Sequence, residues 1–301
     1  MSPETDESII AAYIQFQPTI ADKDANFRTV ETLVGKLPED VELVVLPELC
    51  FTGYNFASKR DLLPLAEYAE SGETARFLQK LAAEKNIYIV AGFPELAAGK
   101  IYNSAMLASP KGFVGAYRKV HLFDREKLIF EAGEEFKLFE LSSLRKNITF
   151  KLGILICFDW AFAESWLIMF RKNAEIIAHC ANLVLPEKAQ RAVPVMAMMH
   201  RFAIITANRI GVERRFAVSQ NSLSAFADDT LRFTGNSLIA DADGKILSQA
   251  PADETYIGSA TINLKLIRNK QMTANNNLIN DRKPRIYLEN NILGDKSQLF
   301  D

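Results

Sequence analysis

The stretch 151–164, KLGILICFDWAFAE, constrains the fold of this chain more than any other part of the sequence. It opens on an aliphatic run from Leu152 to Ile156, which is typical of a buried strand. The run stops at Cys157, and the residues that follow favour the start of a helix. A cysteine at such a turn lies close to a helix N-terminus, which stabilises a thiolate. The same position also suits a small core residue, so this stretch alone leaves both interpretations open.

Charge and composition narrow the range of partners. The 301 residues carry 35 Lys and Arg against 37 Asp and Glu, with both signs interspersed and a net charge of −2. Because the chain has no basic stripe, we expect no nucleic-acid partner. The N-terminal segment lacks the basic and apolar regions of a signal peptide, and no apolar run is long enough to cross a bilayer. We therefore expect no membrane partner.

The cysteines indicate a compartment. Cys50, Cys157 and Cys180 are widely spaced and do not form the pairs that are typical of metal ligands. An odd, sparse set without a secretion signal predicts a reducing, cytoplasmic environment. One of the three thiols can then be a reactive group.

Predicted strands and helices alternate along the chain. Strands are predicted over 9–15, 43–46, 88–92, 102–108, 112–117, 136–141, 152–156, 176–178, 202–207, 236–240 and 256–262. Apolar residues at helical spacing over 27–37 predict a first helix, with Asp22 or Asp24 as a possible cap and Pro38 at its end. Further helices are predicted over 73–85, 163–171 and 193–201. The turn at 109–112 predicts a hairpin. This order predicts an α/β fold with a mixed sheet, in one domain.

Three chemically useful side chains follow three different predicted strands: Glu48, Lys119 and Cys157. Catalytic groups of α/β proteins collect at strand ends, although an isolated glutamate there is more often only solvated. None of the three histidines lies in a recognisable protease context. A Glu-Lys-Cys set can work without histidine. The glutamate takes the thiol proton, and the ammonium stabilises the thiolate and binds an oxyanion.

Three segments resemble the signature segments of the nitrilase superfamily, the carbon–nitrogen hydrolases. They are PELCFTGY (47–54), YRKVHLFDREKLIFEAG (117–133) and GILICFDWAFAE (153–164), and they occur in the family's order. ANLVLP and FTGNSLIADADGKIL resemble the family as well, so the likeness extends from Ile9 to Ile262. The resemblance implies a four-layer αββα sandwich with two mixed β-sheets and a Glu-Lys-Cys active site.

The resemblance also implies a role for each site residue. Cys157 attacks an amide carbonyl or a nitrile carbon, and Glu48 moves the protons. Lys119 and the backbone N–H of Phe158 hold the oxyanion. Glu126 matches a second family glutamate that orients the lysine or the substrate, although an exposed loop carboxylate is the alternative.

Further expectations concern the pocket and the places where the chain departs from the family. Tyr54 and Asn182 match positions that line the substrate pocket, and no metal or organic cofactor is implied. The chain departs from the usual family residues, outside the catalytic set, at Ala163, Leu167, Cys180 and Met199–Arg201. These departures limit any transfer of substrate specificity.

We expect residues 8–265 to form the carbon–nitrogen hydrolase domain and residues 266–301 to form a tail on the surface or on a partner. The leading interpretation is a hydrolase of a small linear amide, an amidase or an N-carbamoyl amide hydrolase. The alternatives are a nitrilase, an acyltransferase that uses the same thioester, and a non-catalytic binding protein. The apolar segment 193–199 predicts a homodimer or a higher homo-oligomer.

Overall fold

Short strands make up most of the regular structure. The computed structural model describes residues 6–217, 222–223 and 229–289. Strands β1 to β9 are Ser8–Gln15, Leu43–Val45, Tyr88–Ala97, Lys100–Ser109, Gly112–Arg118, Leu138–Ser142, Thr149–Ile156, Ile176–Ala181 and Ala203–Asn208. Strands β10 to β18 are Val212–Arg214, Phe216–Ala217, Ser222–Leu223, Thr230–Arg232, Leu238–Ala240, Ile246–Gln249, Tyr256–Asn263, Gln271–Thr273 and Asn276–Asn277.

The helices are fewer and fall between the strands. Helices α1 to α7 are Lys23–Val34, Lys59–Leu62, Glu73–Lys85, Ala163–Arg171, Lys188–His200, Leu264–Arg268 and Pro284–Glu289. Short 3₁₀ helices are Leu63–Leu65, Asp124–Leu128 and Cys157–Ala161. Every helix in the described part of the chain is too short or too polar to cross a bilayer.

Two six-stranded mixed sheets hold most of these strands. The first has the order β16-β1-β2-β3-β4-β5, and the second has the order β15-β14-β9-β8-β7-β6. Within the first sheet, β1, β2 and β3 run parallel, and the other neighbours are antiparallel. Within the second, β7, β8 and β9 run parallel, and the rest are antiparallel. Both sheets are therefore mixed, as the family resemblance implied.

The sheets pack face to face, with helices on their outer faces. In β1, Ile9 and Tyr13 point into a core shared with strands of the second sheet. The alternate residues Ala12 and Ile14 pack against α1 and α3. This alternation follows from the period of two in a strand. Helix α5 contacts β9 and β14 of the second sheet. The layers are thus α, β, β and α, which confirms the predicted sandwich.

Several predicted boundaries are wrong. Helix α1 ends at Val34, so Gly35 rather than Pro38 terminates it. Helix α5 begins at Lys188, five residues before the predicted start. The prediction missed this first turn because it is polar and lacks a capping side chain that would mark its start. The chain directly after Cys157 forms a 3₁₀ helix that was not predicted, whereas α4 begins at Ala163 as predicted.

The described chain divides into compact units between Ile267 and Arg268. The second unit contains the antiparallel pair β17–β18 and helix α7. The predicted tail begins two residues earlier, and its last residues, 290–301, lie outside the described part of the chain. A role of this tail on a surface or on a partner stays a prediction.

Candidate active site

Glu48 lies in the loop after β2, and a glycine on the neighbouring strand fixes its position. A Cβ atom on Gly92 of β3 would lie 2.4 Å from the backbone nitrogen of Leu49 and 2.5 Å from Cα of Glu48. Contacts below 3.0 Å do not occur for real Cβ atoms, so only glycine allows this approach. The loop therefore folds tightly over β3, and Glu48 is completely buried.

Lys119 is the first residue after β5 and is also completely buried. Its backbone N–H donates to the Asn103 carbonyl at 2.8 Å, and its carbonyl accepts from the Gly133 N–H at 2.7 Å. Its Nζ donates to Glu48 Oε1 at 2.8 Å and to Glu126 Oε1 at 2.7 Å. The ammonium is therefore held between two carboxylates.

Glu126 is a buried residue of the 3₁₀ helix Asp124–Leu128, with 3% of its surface exposed. Besides Lys119, its Oε1 accepts from the Tyr54 hydroxyl at 2.7 Å. Its Oε2 accepts from the backbone N–H of Phe123 at 3.1 Å. These contacts exclude the alternative of an exposed loop carboxylate. They also place Tyr54, a predicted pocket residue, against the same group.

The two carboxylate oxygens of Glu48 have different surroundings. Oε1 accepts from Lys119 and also from Asn103 Nδ2, at 2.6 Å. Oε2 is buried and has no hydrogen-bond partner among the described residues. A buried acceptor without a partner is unusual and is often found where a group has a chemical role. Oε2 is therefore the oxygen available to take a proton.

Cys157 begins the 3₁₀ helix that follows β7 and has a positive φ of 42°. Such a backbone conformation costs a non-glycine residue about 1–3 kcal/mol and is typical of functional turns. Its side chain belongs to the core between the sheets and keeps 6% of its surface exposed, whereas Cys50 and Cys180 are fully buried. Cys157 thus differs from the other two thiols in being slightly exposed.

Asp159 joins the turn at Cys157 to the segment 117–121, which contains Lys119. Its Oδ2 accepts from the Ile156 N–H at 2.9 Å and from the Tyr117 hydroxyl at 2.7 Å. Its Oδ1 accepts from the His121 N–H at 3.1 Å. Because these groups flank Cys157 and Lys119 in sequence, one carboxylate fixes both loops relative to each other.

Burial dominates the electrostatics of the site. It raises the pKa of Glu48, and the charge of Glu126 raises it further, against the opposing effect of Lys119. Burial alone would lower the pKa of Lys119, but Glu126 and Glu48 raise it overall, so the ammonium stays charged. Burial and the charge of Glu48 raise the pKa of the Cys157 thiol well above its usual range. Cys157 is therefore a protonated thiol in the resting site.

The sequence predicted that a helix N-terminus stabilises a thiolate at Cys157, and this does not describe the resting site. The element at Cys157 is a five-residue 3₁₀ helix, whose dipole is small. Lys119 and a backbone hydrogen bond from Asn182 do lower the pKa of this thiol, but burial outweighs them. Removal of the proton therefore depends on a neighbouring base.

The remaining predicted residues lie beside this centre. The backbone hydrogen bond to the Cys157 sulfur places Asn182 at the site, in the loop after β8. Its side-chain Oδ1 and Nδ2 are both buried and lack a partner in the part of the chain that the structure describes. Phe158 is the second residue of the 3₁₀ helix, where backbone N–H groups have no partner within the helix. Amide and backbone donors are thus available next to the sulfur.

A small cavity borders the site. It has a volume of about 150 Å³, and its lining includes Tyr54, Glu126, Phe123, Val184 and Arg215. Pockets for drug-sized ligands span roughly 300–1,000 Å³, so this space suits a smaller molecule. Among the described residues, no three His, Cys, Asp or Glu side chains are placed to hold a metal ion.

Sequence reasoning missed three residues of the site: Asn103, Asp159 and His179. Asn103 lies within a strand, where nothing marks it as functional. Asp159 and His179 are polar residues within or beside apolar runs, which is the one signal that could have identified them. His179 is completely buried, and its contacts reach the backbone of Cys157.

A family model and two known proteins match most of this chain. The family model for carbon-nitrogen hydrolase matches residues 10–271. A nitrilase from Pyrococcus abyssi is 40% identical over 92% of this chain and 98% of its own length. An (R)-stereoselective amidase from a Pseudomonas species is 30% identical over 77% of this chain and 78% of its own.

A solved structure is similar over nearly the whole chain. The carbon-nitrogen hydrolase from Helicobacter pylori G27 superposes with a TM-score of 0.79 at 25% identity, covering 94% of this chain and 98% of that one. The match agrees with the αββα layers described above. The resemblance of three short segments is thereby confirmed over the whole domain. This chain belongs to the carbon-nitrogen hydrolase family of the nitrilase superfamily, and it is a hydrolase of carbon–nitrogen bonds.

Proposed function

We propose that this protein hydrolyses a small linear amide through a thioester on Cys157 and releases ammonia. The observation that carries the proposal is the buried ammonium of Lys119, held at 2.8 Å from Glu48 and 2.7 Å from Glu126 beside a buried thiol. Such a set combines a base, an oxyanion donor and a nucleophile in a site that excludes water.

In the first half of the reaction, Oε2 of Glu48 takes the thiol proton, and the sulfur attacks the amide carbonyl carbon. Lys119 and the backbone N–H of Phe158 stabilise the negative oxygen of the tetrahedral intermediate. Glu48 then gives its proton to the amide nitrogen. The carbon–nitrogen bond breaks, ammonia leaves, and a thioester on Cys157 remains.

In the second half, Glu48 takes a proton from water as the water oxygen attacks the thioester. The same donors hold the second tetrahedral intermediate. When this intermediate collapses, the sulfur leaves as the acid forms, and Glu48 returns the proton to it. Glu126 orients Lys119 throughout, and Tyr54 holds Glu126. Asn182 offers an unpaired amide to the substrate.

A panel of small substrates tests this function. Acetamide, propionamide, butyramide, benzamide and N-carbamoyl-β-alanine are incubated with the protein, and released ammonia is measured. Intact-protein mass spectrometry then detects an acyl adduct on Cys157 and identifies the acyl group. Cys157→Ala should abolish turnover and the adduct, whereas Cys180→Ala, a matched buried thiol, should retain both. Turnover that survives Cys157→Ala would contradict the proposal.

A nitrile is the second candidate substrate. The observation that favours it is the 40% identity to the Pyrococcus abyssi protein named nitrilase. The same thiol would add to the nitrile carbon, and a first water would release ammonia from the resulting thioimidate. Propionitrile and propionamide carry the same alkyl group, so their kcat/KM values compare the two functions directly. We expect the amide to be the better substrate, and a larger value for the nitrile would reverse the assignment.

A further inference from the structure

His179 makes two hydrogen bonds inside the second sheet. Its Nε2 lies 3.0 Å from the carbonyl oxygen of Cys157, and its Nδ1 lies 3.1 Å from the hydroxyl of Thr206 on the adjacent strand. His179 is completely buried, and Thr206 is 2% exposed. The mechanism above uses neither residue. A buried histidine bonded to the backbone of the nucleophile therefore needs a separate explanation.

The two contacts define which nitrogen carries the proton. A carbonyl oxygen only accepts, so Nε2 must donate to Cys157. Burial lowers the pKa of His179 to about 4, so the ring is neutral and its Nδ1 has no proton. Nδ1 therefore accepts from the Thr206 hydroxyl. Thr206 thus selects the tautomer that can hold the Cys157 carbonyl.

His179 lies on the outer face of the second sheet. Its neighbours in β8, Ala178 and Cys180, belong to the core between the sheets, and side chains alternate along a strand. By the same rule Thr206 also faces outward. The Cys157 carbonyl, bonded to His179, therefore points away from the core between the sheets, where the Cys157 side chain lies.

Through the peptide bond after Cys157, the direction of the Cys157 carbonyl determines the direction of the Phe158 N–H. The bond is trans, and in a trans peptide the carbonyl and the N–H point in opposite directions. When His179 holds the Cys157 carbonyl outward, the Phe158 N–H must point inward, to the side of the sulfur. The positive φ of Cys157, 42°, would otherwise favour relaxation of this turn.

We propose that His179 and Thr206 are positioning residues that fix the Cys157–Phe158 peptide so that its N–H points at the oxyanion. The inference rests on the proposed function, because it needs a tetrahedral oxyanion formed by attack of Cys157. It goes further by assigning the orientation of the oxyanion donor to a buried hydrogen-bonded pair on the opposite face of the sheet.

Thr206→Val is the informative variant, because it keeps the shape of the side chain and removes only the hydroxyl. Thr206→Ser keeps the hydroxyl and is the matched control. The substrate is the panel amide with the highest kcat/KM, and the inhibitor is the aldehyde with the same acyl chain, which forms a tetrahedral adduct with the thiol. Methyl methanethiosulfonate, which reacts with a thiol without forming an oxyanion, probes the nucleophile alone.

Loss of one oxyanion donor costs about 10²–10³ in kcat, and a misdirected donor should cost less, so we expect about a tenfold fall in kcat for Thr206→Val. KM should change little, and the aldehyde should bind more weakly by the same factor as the loss in kcat/KM. The rate with methyl methanethiosulfonate should stay at the wild-type value, and Thr206→Ser should behave as wild type. Equal losses with the amide and the thiosulfonate would indicate a displaced sulfur and overturn the inference.

The tautomer provides a test that does not depend on turnover. Nitrogen-15 NMR of protein labelled only at histidine reports on three residues, and His179→Gln identifies the signals of His179. We expect the Nε2–H tautomer in the wild type and a mixture of tautomers in Thr206→Val. An Nδ1–H tautomer in the wild type would overturn the inference and leave the proposed function intact. Turnover by Cys157→Ala would instead reject the proposed function itself.

Discussion

At the residue scale, the central feature is one ammonium between two carboxylates that occupy unequal positions. Glu48 has an oxygen without a partner, whereas both oxygens of Glu126 accept hydrogen bonds from the protein. The first glutamate is therefore equipped to move protons and the second to hold its neighbours. This difference makes the roles of the two residues separable by experiment.

Glu48→Gln should remove general acid–base catalysis and lower kcat by about two to four decades. Glu126→Gln should cost less, with part of the loss in KM, because Glu126 only orients Lys119 and Tyr54. Lys119→Ala should be as damaging as Glu48→Gln. Turnover of the best panel amide measures these effects, and circular dichroism checks that each variant is folded. A Glu48→Gln protein with near wild-type turnover would show that another group is the base.

The pH profile should report the charge of Glu126. Glu48 must be ionised to act as a base, so kcat/KM should fall about tenfold per pH unit below its pKa. Burial and then the negative charge of Glu126 raise that pKa, against Lys119. Glu126→Gln removes the negative charge, lowers the pKa of Glu48 and moves the acid limb to lower pH. Glu131→Gln, a change at a half-exposed glutamate, should leave the limb in place.

Cys157 should be the first of the three cysteines to react with iodoacetamide near neutral pH. It keeps 6% of its surface exposed, whereas Cys50 and Cys180 are completely buried. Because burial raises the pKa of the Cys157 thiol, the reaction needs Glu48 to take the proton, and Glu48→Gln should slow it. Peptide mapping by mass spectrometry identifies the modified thiol. Faster labelling of Cys50 or Cys180 would contradict the nucleophile assignment.

At the scale of elements, strands and helices with a clear apolar period were predictable. Helices α3 and α4 begin and end at the predicted residues, and the hairpin at 109–112 joins β4 and β5. The 3₁₀ helices were not predictable, because their three to five residues are too few to show a period. His179 was not assigned a function, because its role depends on two strands that are neighbours only in the folded sheet.

The contact between β3 and the Glu48 loop is another feature that the sequence could not show. Gly92→Ala would place a Cβ atom 2.4 Å from the Leu49 nitrogen and should push the loop away from the strand. We expect a loss of about 1–3 kcal/mol in the free energy of unfolding, the usual cost of overpacking, together with a loss of amide turnover.

Urea unfolding and kcat measure the two effects of Gly92→Ala. Gly35→Ala is the matched control, because Gly35 has a helical φ of −59° at the end of α1, far along the chain from the site. A stable and fully active Gly92→Ala protein would show that the loop does not depend on this glycine.

At the scale of the whole molecule, one helix presents an apolar face to solvent. In α5, Val195, Met198 and Met199 are exposed by 45%, 43% and 56%. This face belongs to the apolar segment 193–199, from which the sequence predicted a homodimer or a higher homo-oligomer. We propose that it pairs with a second copy of the chain.

Sedimentation at micromolar concentration should therefore show at least a dimer. Met198→Lys should weaken the dimer, because a charged side chain would be buried in an apolar contact. Tyr68→Lys changes a residue that is 62% exposed on another part of the surface and should leave the dimer intact. A wild-type protein that sediments as a monomer would contradict the proposal.

The trio of two carboxylates and one ammonium also affects how the product of the proposed hydrolysis leaves the site. With all three groups charged, the buried centre carries one excess negative charge. In the proposed reaction, a neutral amide would enter without repulsion, but the product acid would ionise to a carboxylate, which that excess charge repels. We therefore expect the product acid to bind more weakly than the amide. The charges that we assign to activation of the thiol should therefore also speed product release, while the equilibrium between amide and acid stays unchanged.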